Sequence, residues 1–431
     1  MTVAGPGVPP ALAEAFGALD RGTDAIVADM GRMLACDTSF PPGSGYEAFA
    51  DLVAPWLDAL GFACRRVRVP EALWAAPGVH GARTNLLAHR AAGLPVCSMY
   101  FHVDTVPPGD GWTRSPLACT REGDRLYGRG TADMKGSVAA VLAALRAAAA
   151  SGLRLAYAPA LLLCTDEEGG LYPGIRYLAE QGLIEGHLLS FNGRAAPRIW
   201  AGCFGSMDLQ VTVRGQSAHS GEAEAGGVNA IEAALPVLNA LMDLKRRVEL
   251  LVSAMPPPPG TGPLAARLNV TAAHGGDKGS SLPGRFDILV NRRYLPEEDD
   301  SAVRAEIEGV VAGALADSPA LGWSVAMLGH LAPVSDPGGP HWPRWQQALS
   351  AGFGFAPDSF AAYGATSSSD MGWVQRAGMR EILLGGLGRP GHGVHAADEF
   401  TTLPDIVALA RCVLAYLAAD FAPTLIPEHA A

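Results

Sequence analysis

Apolar side chains recur every three to four positions over residues 11–35 and again over 44–61, the spacing of helices that bury one face. The second run stops at Gly61, and "ACRRVRVP" after it alternates in the two-residue rhythm of a strand. "TNLLAHR" and "PVCSMYFHVD" predict two more strands. The latter is almost continuously apolar, as a strand covered on both faces should be. "DMKGSVAAVLAALRAAAASG" predicts a long helix closed by Gly152. "APALLLCTDEEGG" predicts another buried strand, "PGIRYLAEQG" a helix and "GHLLSF" a short strand. Strands alternating with helices in this way predict an α/β mixed sheet flanked by helices.

The rhythm changes near residue 205. "SMDLQVTVRG" alternates cleanly, Gly227 to Val248 is a long helix, "ARLNVTAAHGG" and "GRFDILVNRRYLP" alternate again, and a helix covers about 299–315. That order fits a smaller α+β domain whose sheet leaves one face to solvent. From about 330 helices and apolar strands return ("REILLGG"), ending in a helix after Thr402. The pattern therefore predicts a catalytic domain in two pieces, 1–205 and 330–431, with residues 206–329 inserted. The first ten residues, rich in Pro and Gly, read as a loose leader.

Composition narrows the function classes. The chain has 431 residues, 49% of them hydrophobic, and a formal net charge of −11, without the basic stripe that nucleic-acid binding requires. Its seven cysteines form no CxxC pair, which fits reduced thiols, and no basic-then-apolar leader announces secretion. The longest apolar stretch, Ser137 to Ala150, is interrupted by Arg146 and is too short for a bilayer. A cytoplasmic protein without membrane or nucleic-acid partners is the expectation.

Four short motifs carry candidate chemistry. In "FHVDTVPP", His102 and Asp104 stand two apart at a strand end, where a carboxylate can hold the second imidazole nitrogen of a metal-binding histidine. In "LYGRGTADMKG", Asp133 precedes a strong helix; it is either a helix cap or a carboxylate bridging two cations. In "LLLCTDEEGG", three successive acids follow an apolar strand, a crowding that cations or solvent must offset. In "GHGVHAADEF", His392 and His395 lie in a Gly-rich loop before the last helix. Each motif alone has an ordinary structural explanation. All four fall where α/β enzymes build their sites.

With "VTVRGQSAHSG" and the order of the motifs from about residue 98 to 405, the chain resembles the co-catalytic zinc peptidase family that includes acetylornithine deacetylase, succinyl-diaminopimelate desuccinylase, aminoacylase and glutamate carboxypeptidase. The resemblance implies a zinc-exopeptidase-like α/β fold with an inserted lid or dimerisation domain, and a homodimer. It implies that His102 binds one metal with Asp104 behind it, that Asp133 bridges, that Glu167 is the general base, and that Glu168 and His395 bind the second metal. His219 is implied to stabilise an oxyanion in a partner subunit's site, and Arg293 to bind a substrate carboxylate. The ion implied is Zn2+, one or two, with Co2+ or Mn2+ also accepted by such ligands. The activity implied is hydrolysis of the amide bond of an N-acyl amino acid or a small peptide-like metabolite. Gly364 and Thr366 are candidates for the substrate pocket, and a flexible loop is the alternative there.

The sequence departs from the family in one place that matters. The acid expected about 25 residues after the paired glutamates is missing, and Asn192 or Gly193 stands there, so the His102 metal position is expected to be weak. Asn291 also stands where an Asp usually precedes Arg293. A related non-hydrolytic enzyme (cyclisation or acyl transfer) and a non-catalytic ligand-binding relative remain as alternatives. Arg293 has the simpler alternative of pairing with Glu297 or Glu298.

Overall fold

The computed structural model describes residues 9–76, 78–221 and 226–421. Most of the expected leader, residues 1–8, lies outside the described residues, and the first helix already begins at Pro10. The chain divides into two compact units. One comprises Met1–Trp200, Asp336–Ala362 and Trp373–Ala431, the other Ala201–Ser335 and Tyr363–Gly372. The short return of Tyr363–Gly372 to the second unit has no counterpart in the hydrophobic pattern.

The first unit is built on a six-stranded mixed sheet. Its strands lie in the order Ala63–Arg68, Thr84–His89, Ala158–Cys164, Val96–His102, His187–Ser190 and Ile382–Leu384. The last four of these run parallel, and Thr84–His89 is antiparallel to both its neighbours. Every residue of Ala158–Cys164 is buried, as is every residue of Val96–His102 after Val96. This is the continuous apolar signature of strands covered on both faces. The helix Lys135–Ser151 is buried nearly all round. It touches the strand Val96–His102 and is itself covered by helices Pro10–Arg21, Thr23–Ala35 and Leu403–Leu417. Its small side chains suit that position, because alanine brings neighbouring backbones close at no cost in rotamer entropy. Gly152 ends it in the left-handed region at φ +63°. The single helix expected over 11–35 is two helices, broken at Gly22; glycine is a poor helix former and the hydrophobic spacing does not register the break.

The second unit is a four-stranded antiparallel sheet in the order Arg267–His274, Arg285–Tyr294, Gly205–Arg214, Gly322–Leu331. Helices Ala230–Val248 and Asp300–Leu315 supply Leu241, Val237, Ile307 and Val311 to a core shared with Leu209, Val211, Ile288 and Val290. Asn229 and Asp299 cap the two helices through their side chains. The edge strand Gly322–Leu331 was not expected. Its side chains are mostly part-exposed on both faces and so show no clean alternation.

In the first unit His187 is buried, bonds the Tyr416 hydroxyl at 2.6 Å and stacks on His341 with ring centroids 3.8 Å apart. Burial, aided by the charge of His341, pushes its pKa down to about 3. The folded protein therefore keeps His187 neutral, whereas the unfolded chain protonates it below the ordinary histidine value of about 6.5. This group's stabilising contribution is full above pH ~6.5 and is lost as pH falls toward 3. A His187→Gln variant is expected to show a shallower loss of stability across that window, read from chemical unfolding midpoints at a series of pH values.

Candidate metal centre

The four parallel strands of the first unit deliver their following residues to one place. His102 is the last residue of its strand, Glu167 and Glu168 sit in the turn after Ala158–Cys164, Asn192 follows His187–Ser190, and His395 lies in the loop beyond Ile382–Leu384. Asp133 comes from the turn before helix Lys135–Ser151. The carboxyl ends of parallel strands are where the chain leaves the sheet and the side chains converge.

The two oxygens of Asp133 face different imidazoles. Oδ1 lies 3.0 Å from His102 Nε2, and Oδ2 lies 3.5 Å from His395 Nε2. His395 Nε2 is also 3.0 Å from Glu168 Oε2. Ligand atoms of His102, Asp133 and Glu168 all lie within 4.8 Å of one another. Beside them Glu167 is buried and accepts a hydrogen bond from Asn192 Nδ2 at 2.9 Å.

Asp104 differs from expectation. The strand ends at His102, so the two-residue alternation that would turn the Asp104 carboxylate toward the imidazole is lost. The close neighbour of His102 Nδ1 is the Asp104 carbonyl oxygen at 3.1 Å, with carboxylate Oδ1 at 3.8 Å. The other carboxylate oxygen accepts the Glu168 N–H at 2.9 Å. Asp104 thus ties the histidine to the turn that carries the glutamates.

Charge is concentrated here. Burial pushes the Asp104 carboxyl up to about 8, with Asp166 and Glu168 adding to the effect and His102 opposing it. Burial works against a charged His102, yet its hydrogen bond to Asp133 and the charges of Glu167, Asp133 and Asp104 raise its pKa well above the ordinary value. Hydrogen bonds to Asp133 and Glu168 raise His395 to about 10. Burial alone would raise Asp133, but the two imidazoles hold it below the usual carboxylate range. Acids that grip imidazolium protons this firmly are the environment in which a divalent cation replaces those protons. Two imidazole nitrogens and two carboxylates are a donor set that zinc accepts. The residues present fit a metal ion.

Residues 99–419 match the model of Peptidase family M20/M25/M40. The chain belongs to this family. It is 30% identical over 380 residues to a succinyl-diaminopimelate desuccinylase of Xanthomonas oryzae pv. oryzae, covering 86% of this chain and 92% of the relative. It is 29% identical over 370 residues to the Acidiphilium cryptum enzyme of the same name, covering 84% and 90%. Among solved structures, the Saccharomyces cerevisiae di-peptidase Dug1p superimposes with a TM-score of 0.79 at 17% identity, covering 94% of this chain and 97% of that one. Human carnosine dipeptidase 1 follows at 0.73 and 18% identity, covering 94% and 98%. At such identities the structures speak to the fold, and the fold agrees. The M20/M25/M40 member is a hydrolase acting on amide bonds, in a family of divalent-metal enzymes.

Two supports of this M20/M25/M40 site escaped the sequence reading. Glu399, fully buried, accepts the backbone N–H groups of Gly130 at 3.2 Å, Ala132 at 2.9 Å and Asp133 at 3.2 Å, and pairs with Arg129 at 2.6 Å. It gathers the turn that presents Asp133. Asp166 adopts the left-handed region at φ +62°, a conformation that costs an L-residue roughly 1–3 kcal/mol. Buried Arg83 bonds it at 2.8 Å and Tyr46 at 2.7 Å, which offsets that cost and aims the two glutamates. The position of Glu399 in the "HAADEF" motif and the first acid of "TDEE" were the available signals, but only long-range pairing assigns their partners. His395 is itself left-handed at φ +64° and half exposed.

The second unit holds the other candidates. His219 is exposed on a two-residue strand paired with Ser281–Leu282, its Nδ1 accepting the Gly221 N–H at 3.2 Å. Arg293 pairs with neither Glu297, which accepts from Ser253 and the Ala254 N–H, nor Glu298, which holds Arg292 and the Leu295 N–H. That simpler alternative falls away. Arg293 instead donates to Asn291 Oδ1 at 3.2 Å and Ser368 Oγ at 2.8 Å. Thr366 is exposed. Gly364 is buried, and a Cβ there would approach Met255 Sδ to 2.9 Å, so close packing already explains the glycine. His392, in the first unit, is buried, its ring against Phe400 at 4.8 Å.

Replacing Glu399 with Gln should weaken divalent-metal affinity about 10–100-fold, as loss of an outer carboxylate does elsewhere. Competition against a chromophoric chelator reads the change, with circular dichroism confirming the fold.

Proposed function

We propose that this hydrolase cleaves the amide bond of an N-acyl amino acid or small peptide-like metabolite with zinc held principally by Asp133, Glu168 and His395. The observation that carries the reading is the split use of Asp133, whose two oxygens face His102 and His395 separately, with Glu168 beside the second imidazole. When bound there, a divalent cation supplies Lewis acidity, bringing the pKa of water toward 7 and polarising a carbonyl. Cobalt and manganese suit the same ligands.

Glu167 is the general base in this reading. Its buried carboxylate takes the proton from the attacking water and returns it to the leaving amine. The Asn192 amide donates to Glu167 Oε1 and so fixes the orientation of the base. The same amide is the reason for a weaker His102 position, since Asn192 directs N–H toward Glu167 and adds no negative charge as a ligand. His219 stabilises the oxyanion and is supplied by a second copy of the chain, which makes the active form a homodimer. Among the described residues no helix is long and apolar enough to cross a membrane, and the seven free cysteines support a cytoplasmic setting. Cyclisation, acyl transfer and ligand binding without catalysis have no observation of their own in their favour.

Glu167→Gln should lower kcat on N-acyl amino acids by about 10²–10⁴-fold while leaving bound metal unchanged. Hydrolysis by that variant at the unmodified rate would remove the base from the mechanism. Metal analysis should find about one equivalent of zinc in the unmodified protein, and Asn192→Asp should raise it toward two. Two equivalents before substitution would count against the weak position.

A further inference from the structure

Glu167 and Glu168 sit in a loop, residues 165–174, that leaves the strand Ala158–Cys164 and ends at the helix Gly174–Glu180. One side-chain amide closes the neck of this loop. Asn85, the second residue of the strand Thr84–His89, is fully buried. Its Oδ1 accepts the Thr165 N–H at 3.2 Å, and its Nδ2 donates to the Gly174 carbonyl oxygen at 3.4 Å. The Gly174 N–H completes the closure by donating to Thr165 O at 2.7 Å. A polar side chain inside an apolar strand is costly unless its groups are paired, and these two bonds pair both ends of the amide. Gly174 leaves the room for it, since a Cβ there would approach Asn85 Oδ1 to 2.0 Å.

The other tethers of the loop act within it. Arg83 and Tyr46 hold Asp166, the Asp104 carboxylate holds the Glu168 N–H, and the Asn192 amide holds the Glu167 carboxylate. None of these bonds joins the two ends of the loop. Asn85 does, and it does so from the central sheet, because Leu86 beside it pairs with Leu163 of the strand that leads into the loop. The sheet thereby sets the height at which the chain enters the turn. With the neck open, Glu168 keeps its bond to Asp104, whereas Glu167 loses the backbone support on its entry side.

We propose that Asn85 is a positioning residue for amide hydrolysis, its clamp on the loop neck placing the Glu167 carboxylate where the attacking water must give up its proton. This rests on the reading of Glu167 as the base and adds the residue that places it. Asn85 acts through the backbone and need not touch substrate or metal. Displacing a reacting group by about 1 Å costs on the order of 10²-fold in rate, so a clamp remote from the chemistry is felt in kcat.

The test is steady-state hydrolysis of N-acetyl-L-methionine and L-alanyl-L-glutamine by the zinc-loaded full chain, with Asn85→Ala and Gly174→Ala made separately so that either can carry it. Each should lower kcat about 10–100-fold and change KM less than about twofold. Zinc affinity, read by competition with a chromophoric chelator, should stay as in the unmodified protein. Amide hydrogen exchange across residues 165–174 should quicken, which reports the opened neck. In a Glu167→Gln background the same substitutions should cost little more, because the group they place is already gone. A merely structural role would cost the same factor in both backgrounds and overturns the proposal. So does an unchanged kcat once exchange has quickened, and so does a loss of zinc in proportion to the loss of rate, which would assign the clamp to Glu168. With Glu167 essential and Asn85 dispensable, the clamp alone falls; full activity of Glu167→Gln removes the reading under Proposed function itself.

Discussion

Four acids, Asp104, Asp133, Glu167 and Glu168, meet two imidazoles at the carboxyl ends of the parallel strands of one mixed sheet, and most of that charge is shielded from water. Like charges at this density repel unless something positive is shared among them. The structure answers with hydrogen bonds to histidine, with the Glu168 N–H turned to Asp104 and with the Asn192 amide turned to Glu167. A divalent cation completes the same balance more strongly than protons do.

Holding the cluster requires a rigid surround. Glu399 spends its carboxylate on the backbone of the turn before helix Lys135–Ser151, and Arg83 spends its guanidinium on Asp166 and on the carbonyl oxygens of Pro42, Gly43 and Gly81. Neither residue belongs to the ligand set. Each converts a flexible glycine-rich turn into a fixed one, so that the metal-facing side chains are aligned before any ion arrives.

The departures from the family pattern thus have local physical readings. Asn192 donates its amide N–H to the buried Glu167 carboxylate. Asn291 donates to Asp208 and Ser206 and accepts from Arg293. In both places an amide stands where an acid is usual, and in both the amide donates to a nearby carboxylate oxygen.

The amino-acid pattern by itself determined the α/β character, the change of rhythm near residue 205 and the four motifs whose side chains converge at the candidate metal centre. These are local properties: continuous apolar runs mark strands buried on both faces, and acids or histidines beside glycine mark the turns after them. Tertiary structure decided what depends on distant partners. The break at Gly22, the edge strand Gly322–Leu331 with its part-exposed sides, and the return of Tyr363–Gly372 to the second unit left no clean periodicity. The Asp104 carbonyl in place of its carboxylate, the pairing of Glu399 with a turn some 270 residues earlier and the Arg83–Asp166 pair all depend on where the chain returns after long excursions. Residue types reveal which groups can bind a metal; only the assembled sheet settles which neighbours hold them still.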